Sequence, residues 1–415
     1  MNHYIKTIAI ITLGICCSVA AVNWLVNPYL MFSSPVIVGI NEWVTENYFK
    51  QLLFKPYQLR SQQPHSIIIG ASQSGVAFNP AALPQPAYNL AVGGSTSYLQ
   101  HRLLQEALAT TPELDTVILE TAFFAFNNSD PNNQPGLDQA FENRLQTRSD
   151  GSRHSLQPFY AAKEILSSLI SWDITRATLR MLAKQNDVAL KKRGSFIQLR
   201  NGQWIQQSQP NSRTYLQLEN SWKKTLFNDW LPAPDHVYTL PDINSGAMAY
   251  FRDSLQRLYA RDIRTSIAIL PMHSSLFIAL QEAGLWSSYQ QWKKALVTIN
   301  EQEAQKAGKT AFSIFDFAEL NEKTMENIPT RDSTTPMTWF NDSMHPSPAF
   351  GELLLTDIQS GHTIYGKLLD GTTIDKKLSE DEQKLSRYSN LNPELQATIR
   401  TLLANNPHQA ARSLR

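Results

Sequence analysis

Cysteine is nearly absent from this chain: 415 residues contain two, Cys16 and Cys17, and both fall inside the first apolar segment. The remainder can form no disulfide with itself and no cysteine-ligated metal site, and thiol catalysis is excluded beyond that segment. An excess of either charge is missing as well. Lys and Arg (37) balance Asp and Glu (36), leaving a net charge of +1. With no long basic run, the electrostatic footprint of a nucleic-acid-binding protein is lacking. No internal repeat occurs. The hydrophobic share of 42% and aromatic share of 10% suit a globular chain that buries a full core, which excludes wholesale disorder. The length allows two or three domains, or one large α/β domain with insertions.

The N-terminus carries an uncharged stretch. From Thr7 to Val26 the sequence TIAIITLGICCSVAAVNWLV provides about the 20 residues a helix needs to cross a bilayer core. Lys6 precedes it, so the positive-inside rule leaves residues 1–6 in the cytoplasm, makes 7–27 a single-pass anchor and exports the rest of the chain. Trp24 and Tyr29 then fall at the outer interface. The competing reading is a cleaved signal peptide, for which Ser18, Val19 and Ala20 supply the small residues. Lipidation is disfavoured, because Ile15 and Cys16 precede the two cysteines where a small residue is expected.

Beyond the anchor, NEWVTENYFKQLLF (41–54) has the apolar spacing of an amphipathic helix, and residues 28–65 read as a juxtamembrane stalk with a first helix. Five β-branched or apolar runs come next: SIIIGAS at 66–72, AYNLAV at 87–92, DTVILETAFF at 115–124, RTSIAILP at 264–271 and FSIFDF at 312–317. Helical stretches at 97–109, 249–261 and 288–308 alternate with them. That alternation predicts a parallel sheet covered on both faces, within a domain spanning 66–366. Residues 127–240 break the rhythm with Asn, Gln, Ser and Pro around helical pieces such as DITRATLRMLAKQ, and read as a largely helical insertion whose Trp and Tyr residues are core. Residues 367–415, charged and helix-prone, read as a C-terminal appendage.

The chemistry-bearing residues lie at two distant points. Ser72 follows the strand SIIIG, at the carboxyl end of a parallel sheet, where open α/β folds gather ligands. In WFNDSMHPSPAFGELLL, Asp342 and His345 stand three apart just before a helix. A serine needs a base within hydrogen-bond reach and a third group to fix that base's tautomer. Ser72, His345 and Asp342 provide the three residue types in one chain.

These segments resemble the SGNH (GDSL-like) hydrolases. SIIIGASQS is similar to that family's first block, in which the serine follows strand one, and NDSMH to its last, Asp-x-x-His. YNLAVGGSTS is similar to the second, an Asn followed by a glycine whose N–H enters the oxyanion hole. Counted from Asn89, Gly94 is the better match and Gly93 the second. The third block, Gly-x-Asn-Asp, is not matched: VILETAFFAFNN has Ala122, Phe123 and Phe124 there, and Asn127 or Asn128 replaces the amide only with a shift. Losing one oxyanion donor costs roughly 2.7–4 kcal/mol of transition-state stabilisation, which leaves a slower esterase, a transferase and a degenerate site all open.

The resemblance covers about residues 66–130 and 240–360. It implies a three-layer α/β/α fold with catalytic Ser72, Asp342 and His345, and an oxyanion hole from the N–H groups of Ser72 and Gly94. No metal or organic cofactor is implied. The anchor, the Asn27-Pro28-Tyr29 segment and the late DxxHP are further similar to exported SGNH-like proteins of bacterial cell-surface modification. Among these are the alginate O-acetylation proteins and the D-alanyl transfer protein of teichoic acid. That likeness implies an inner-membrane protein with a periplasmic domain that transfers acyl groups to or from a surface glycan, served by a membrane-bound acyl-passing partner. His273, at the end of RTSIAILP, has two readings: a solvent- or backbone-bonded loop histidine, or a substrate-positioning donor. Trp339 likewise reads as a packing residue or a sugar platform, and Asn127 is the third candidate substrate contact.

Overall fold

The computed structural model describes residues 2–47, 50–136, 138–185, 196–206, 214–231 and 238–406. Its first element, α1 (Asn2–Val26), contains a span from His3 to Val26 long and apolar enough to cross a membrane. The helix ends in a tight corner: Asn27 and Leu30 take positive φ (51° and 54°), and the Asn27 side chain brackets Phe32, donating to its carbonyl and accepting its N–H. Tyr29, Leu30, Met31 and Phe32 are buried, so the segment expected to be a stalk is packed into the domain.

The first helix beyond the anchor also departs from expectation. α2 runs Gln51–Gln62 rather than starting at Asn41. Residues 41–47 are held otherwise: the Asn41 amide donates to the carbonyls of Leu25 and Pro35, and Val44 forms a β-bridge with Gln198. Residues 48 and 49 of the expected helix lie outside the described residues. Pro56 inside α2 frees the Leu52 carbonyl, which the Arg144 guanidinium takes up at 3.4 Å.

The α/β unit then unfolds in order: β1 (Ser66–Ile69), α3 (Ser72–Ala77), β2 (Ala87–Asn89), α4 (Ser97–Thr110) and β3 (Thr116–Glu120). The expected insertion supplies α5 (Gln139–Arg144), α6 (Gln157–Leu169), α7 (Trp172–Lys184), an antiparallel hairpin of β4 (Phe196–Gln198) and β5 (Trp204–Gln206), and α8 (Thr214–Lys224). The hairpin is not visible in the sequence pattern. Parts of the expected insertion, 137, 186–195, 207–213 and 232–237, lie outside the described residues. Trp204, Trp222 and Trp230 are buried, as expected of the insertion's aromatic residues, whereas Trp172 is exposed at the start of α7 and is not core. The sheet resumes with α9 (Gly246–Ala260), β6 (Arg264–Ile269), α10 (Ser274–Glu282), α11 (Trp286–Ala307), β7 (Ser313–Asp316) and α12 (Pro348–Ser360).

Strand order is β2-β1-β3-β6-β7, all parallel, followed by β8 (Lys367–Leu369), antiparallel to β7. Alternation along the strands divides the core. Ile67, Ile69, Val117, Leu119, Ile267 and Ile269 pack with residues of α4, α9 and α11. Ile68, Ile118, Ala268 and Phe315 pack with Phe78 and with Phe350 and Leu354 of α12. Helices thus cover both faces, which is why β1 is buried at every position. The last segment is no appendage. β8 extends the sheet, and α13 (Ile374–Leu391) and α14 (Pro393–Ala404) bury Ile374, Leu378, Leu385, Ile399 and Leu403 in the main core. Residues 407–415 of the expected appendage lie outside the described residues.

Candidate active site

Ser72 opens α3 just beyond β1, at the carboxyl edge of the sheet. Two close approaches fix it there. A Cβ on Gly70 would collide with the Glu120 carboxylate and the Ser74 hydroxyl, and a Cβ on Gly351 of α12 would collide with the Ala77 carbonyl. The helix that follows His345 therefore rests directly on the helix that begins with Ser72. Glu120, fully buried at the end of β3, accepts the N–H groups of Ala71 (2.8 Å) and Ser74 (3.0 Å) through one oxygen, while its other oxygen has no partner among the described residues. Burial raises its pKa against the lowering effect of those bonds. The Gln73 amide donates to the carbonyls of Pro271 and Met344, joining the start of α3 to the end of β6 and to the histidine loop.

The histidine loop is itself braced. Asn341 donates its N–H to the His345 carbonyl, Phe340 and Pro346 form a bridge, and the Ser347 hydroxyl caps α12. Within it, His345 Nδ1 meets Asp342 Oδ2 at 2.8 Å and Oδ1 at 2.9 Å, and Nε2 lies 2.8 Å from Ser72 Oγ. The structure thus joins into one hydrogen-bonded line a serine and a histidine that stand 273 positions apart in the sequence. Burial would raise the Asp342 pKa, but the imidazole beside it and the N–H groups of Met344 and His345 hold it down at about 2. Burial would lower His345, and the Asp342 carboxylate overcomes this and raises it. Both side chains remain slightly open to solvent, at 14% and 15%.

The two glycines that follow β2, Gly93 and Gly94, differ in their hydrogen bonding. Gly93 donates its N–H to Gln51 Oε1 at 2.8 Å. Gly94, at φ +66° with open space where a Cβ would be, has no acceptor for its N–H among the described residues and lines the same cleft as Ser72. That cleft, about 1260 Å³, is walled by Phe124, Gln134, Asn220, Lys224, Asp229 and Asn341, among others. Burial pushes Asp229 up to about 6, against the opposing charges of Lys224 and His345. It sits in a π-helical turn, Thr225–Trp230, that continues α8.

Three expected substrate-site residues lie elsewhere. His273 is fully buried, caps α10, and bonds Ser275 Oγ and the Glu326 carbonyl through its two ring nitrogens, each at 2.8 Å. Its backbone N–H reaches the Ser343 carbonyl, so it braces from behind the loop that carries Asp342 and His345. Burial lowers its pKa to about 4. Asn127 is buried with its side chain accepting the N–H groups of Ser129 and Thr239, which fixes the loop after β3. Trp339 packs edge-on to Phe350 beneath the Lys323 ammonium, 3.4 Å from the ring centroid. Residues missed by sequence reasoning are Gln51, Glu120, Asp229 and Ser221, whose hydroxyl donates to Asp342 at 3.3 Å. They carry no local signature, since each reaches the site across a large sequence separation. No family model and no curated protein matches this chain.

Proposed function

We propose that this protein is a serine O-acyltransferase or acylesterase that acts outside the cytoplasm on a surface polysaccharide or exopolysaccharide, held at a bacterial inner membrane by α1. The carrying observation is the unbroken line Ser72–His345–Asp342, with every link 2.9 Å or shorter. His345 Nε2 takes the Ser72 proton as Oγ attacks an ester carbonyl, and Asp342 stabilises the imidazolium. The N–H groups of Gly94 and Ser72 take the developing oxyanion. His345 returns the proton to the departing alkoxide, leaving an acyl-enzyme. It then activates water, giving an esterase, or a sugar hydroxyl, giving a transferase.

The size of the cleft supports a glycan over a small ester, since 1260 Å³ exceeds the roughly 300–1,000 Å³ of small-molecule pockets. Its wall carries several neutral amides, Gln134, Gln217, Asn220 and Asn341, a donor and acceptor set suited to hydroxyl-rich chains. The acyl group comes from a membrane-bound partner, because an exported site has no access to cytoplasmic thioesters. A second reading, a non-catalytic scaffold, is favoured by one observation: Phe124 lines the cleft after β3, and Asn127 does not. Labelling the folded protein with a fluorophosphonate decides between them. A Ser72 adduct absent from S72A supports the enzyme, and an unlabelled Ser72 in folded protein overturns it. Incubating the labelled-acyl enzyme with water and with oligosaccharides then separates hydrolysis from transfer.

A further inference from the structure

The insertion presents an apolar surface that the active site does not use. On α6 and the turn before α7, Phe159 (65% exposed), Leu166 (66%) and Ile170 (57%) recur along one helix face, and Trp172 (75%) opens α7, with Leu179 two turns later. Side chains of this size stand together in water only when something covers them in use. Another stripe, Ala161, Ile165 and Leu169, already packs inward on Tyr29 and Phe32, so the outer stripe is not needed for folding.

This hairpin is fixed to the end of α1. The Asn23 amide donates to the Leu169 carbonyl and to Thr175 Oγ1, and its oxygen accepts from Thr178 Oγ1, each at 2.9 Å. Asn23 lies three residues before Val26, roughly 4.5 Å along the helix axis. If Thr7–Val26 fills a hydrocarbon core about 30 Å thick, Asn23 lies at its outer boundary, and the hairpin bonded to it lies at headgroup depth. Charge agrees with that placement. The hairpin's acidic groups are taken up by the domain, Glu164 by Tyr57 and Arg144, and Asp173 by Tyr29 and Lys50. Exposed Lys163, Arg176 and Arg180 have no carboxylate partner among the described residues, and they suit anionic headgroups.

We infer that the α6–α7 hairpin is a second membrane contact, seated in the headgroup layer of the outer leaflet through Phe159, Leu166, Ile170 and Trp172. This rests on the reading of α1 as a membrane anchor. The test uses the full chain with C16S and C17S and one further cysteine, I11C, L166C, I170C or L391C, carrying an environment-sensitive fluorophore. Each is reconstituted in phosphatidylethanolamine–phosphatidylglycerol vesicles containing nitroxide lipids. Positions 166, 170, 391 and 11 are all exposed, so labelling leaves the core intact. The expected result is strong quenching at 11 by chain-labelled lipid, strong quenching at 166 and 170 by headgroup-labelled lipid, and none at 391. Quenching at 11 with none at 166 and 170 overturns the inference while leaving the anchor intact. A blue shift at 166 without quenching marks a protein partner or a second copy on this face, and overturns it equally. Absence of quenching at 11 removes the anchor and the inference with it.

Discussion

Gln51 Oε1 takes the N–H of Gly93 at 2.8 Å, and the next residue, Gly94, lines the cleft beside Ser72 with its own N–H left without an acceptor among the described residues. A side chain from the first helix after α1 therefore sets the turn that carries Gly94, the proposed oxyanion donor. Q51A is expected to slow acylation of Ser72 by about 10- to 100-fold, part of what an oxyanion donor is worth. The effect falls on acylation more than on KM, because Gln51 borders the cleft but is buried, with its side-chain oxygen turned to the Gly93 N–H. Single-turnover kinetics with a chromogenic ester measures this, and an unchanged acylation rate would remove Gln51 from the mechanism.

The proposed roles of Ser72, His345 and Asp342 fix the sign of the pH response. His345 acts as a base only when neutral, and Asp342 raises its pKa, so acylation climbs with pH to a midpoint above the ordinary histidine value of about 6.5. D342N removes that charge. Its profile shifts to a midpoint below about 6.5, and its plateau falls by roughly 10⁴-fold as the imidazole loses its tautomer control. A pH–rate profile of fluorophosphonate labelling reads both effects.

Glu120 is buried beneath Ser72 with its pKa raised by that burial. A carboxyl whose folded value is raised gives its full stability below its unfolded value, about 4.3, and loses it as pH rises through the folded one. E120Q keeps an acceptor for Ala71 and Ser74 without the ionisation. Its stability relative to the wild type should grow as pH rises from about 4.3, while labelling of Ser72 persists. E120A strands two buried N–H groups and is expected to lose about 2–4 kcal/mol. Urea unfolding at several pH values tests the pair.

His273 serves the fold. H273A should cost about 2–4 kcal/mol through lost hydrogen bonds and volume, with the Ser72 labelling rate of the folded fraction kept within a few-fold. Its folded pKa of about 4 lies below the ordinary value, so its stabilising contribution is complete above about pH 6.5 and is lost as pH falls toward 4. The acid limb of the stability curve flattens in the variant. A selective loss of substrate affinity instead would return His273 to the cleft.

The sheet was readable because its strands are buried on both faces: Ile67, Ile68 and Ile69 leave no polar alternation to confuse with a surface helix. Ser72, Asp342 and His345 were readable because residue type, chain order and the flanking strand and helix coincide. Other features depend on distant partners. Val44 is extended because Gln198 pairs with it, and no window around Val44 contains that information. In the last segment, a high charge density hides Ile374, Leu378 and Leu385, whose helical spacing puts them on one buried stripe. His273 was expected to end the strand that starts at Arg264, but β6 stops at Ile269 and His273 caps α10, with its ring direction set by Ser275 and Glu326.

The corner at Asn27, closed onto Phe32 with Tyr29 to Phe32 buried, makes α1 a rigid axle for the domain. A flexible tether would let the cleft sample many orientations over the bilayer, and each encounter with a polymer would have to select among them. With α1 in a bilayer, as proposed, that orientational freedom is removed once, during folding, and the membrane normal becomes a reference direction for every approach to Ser72.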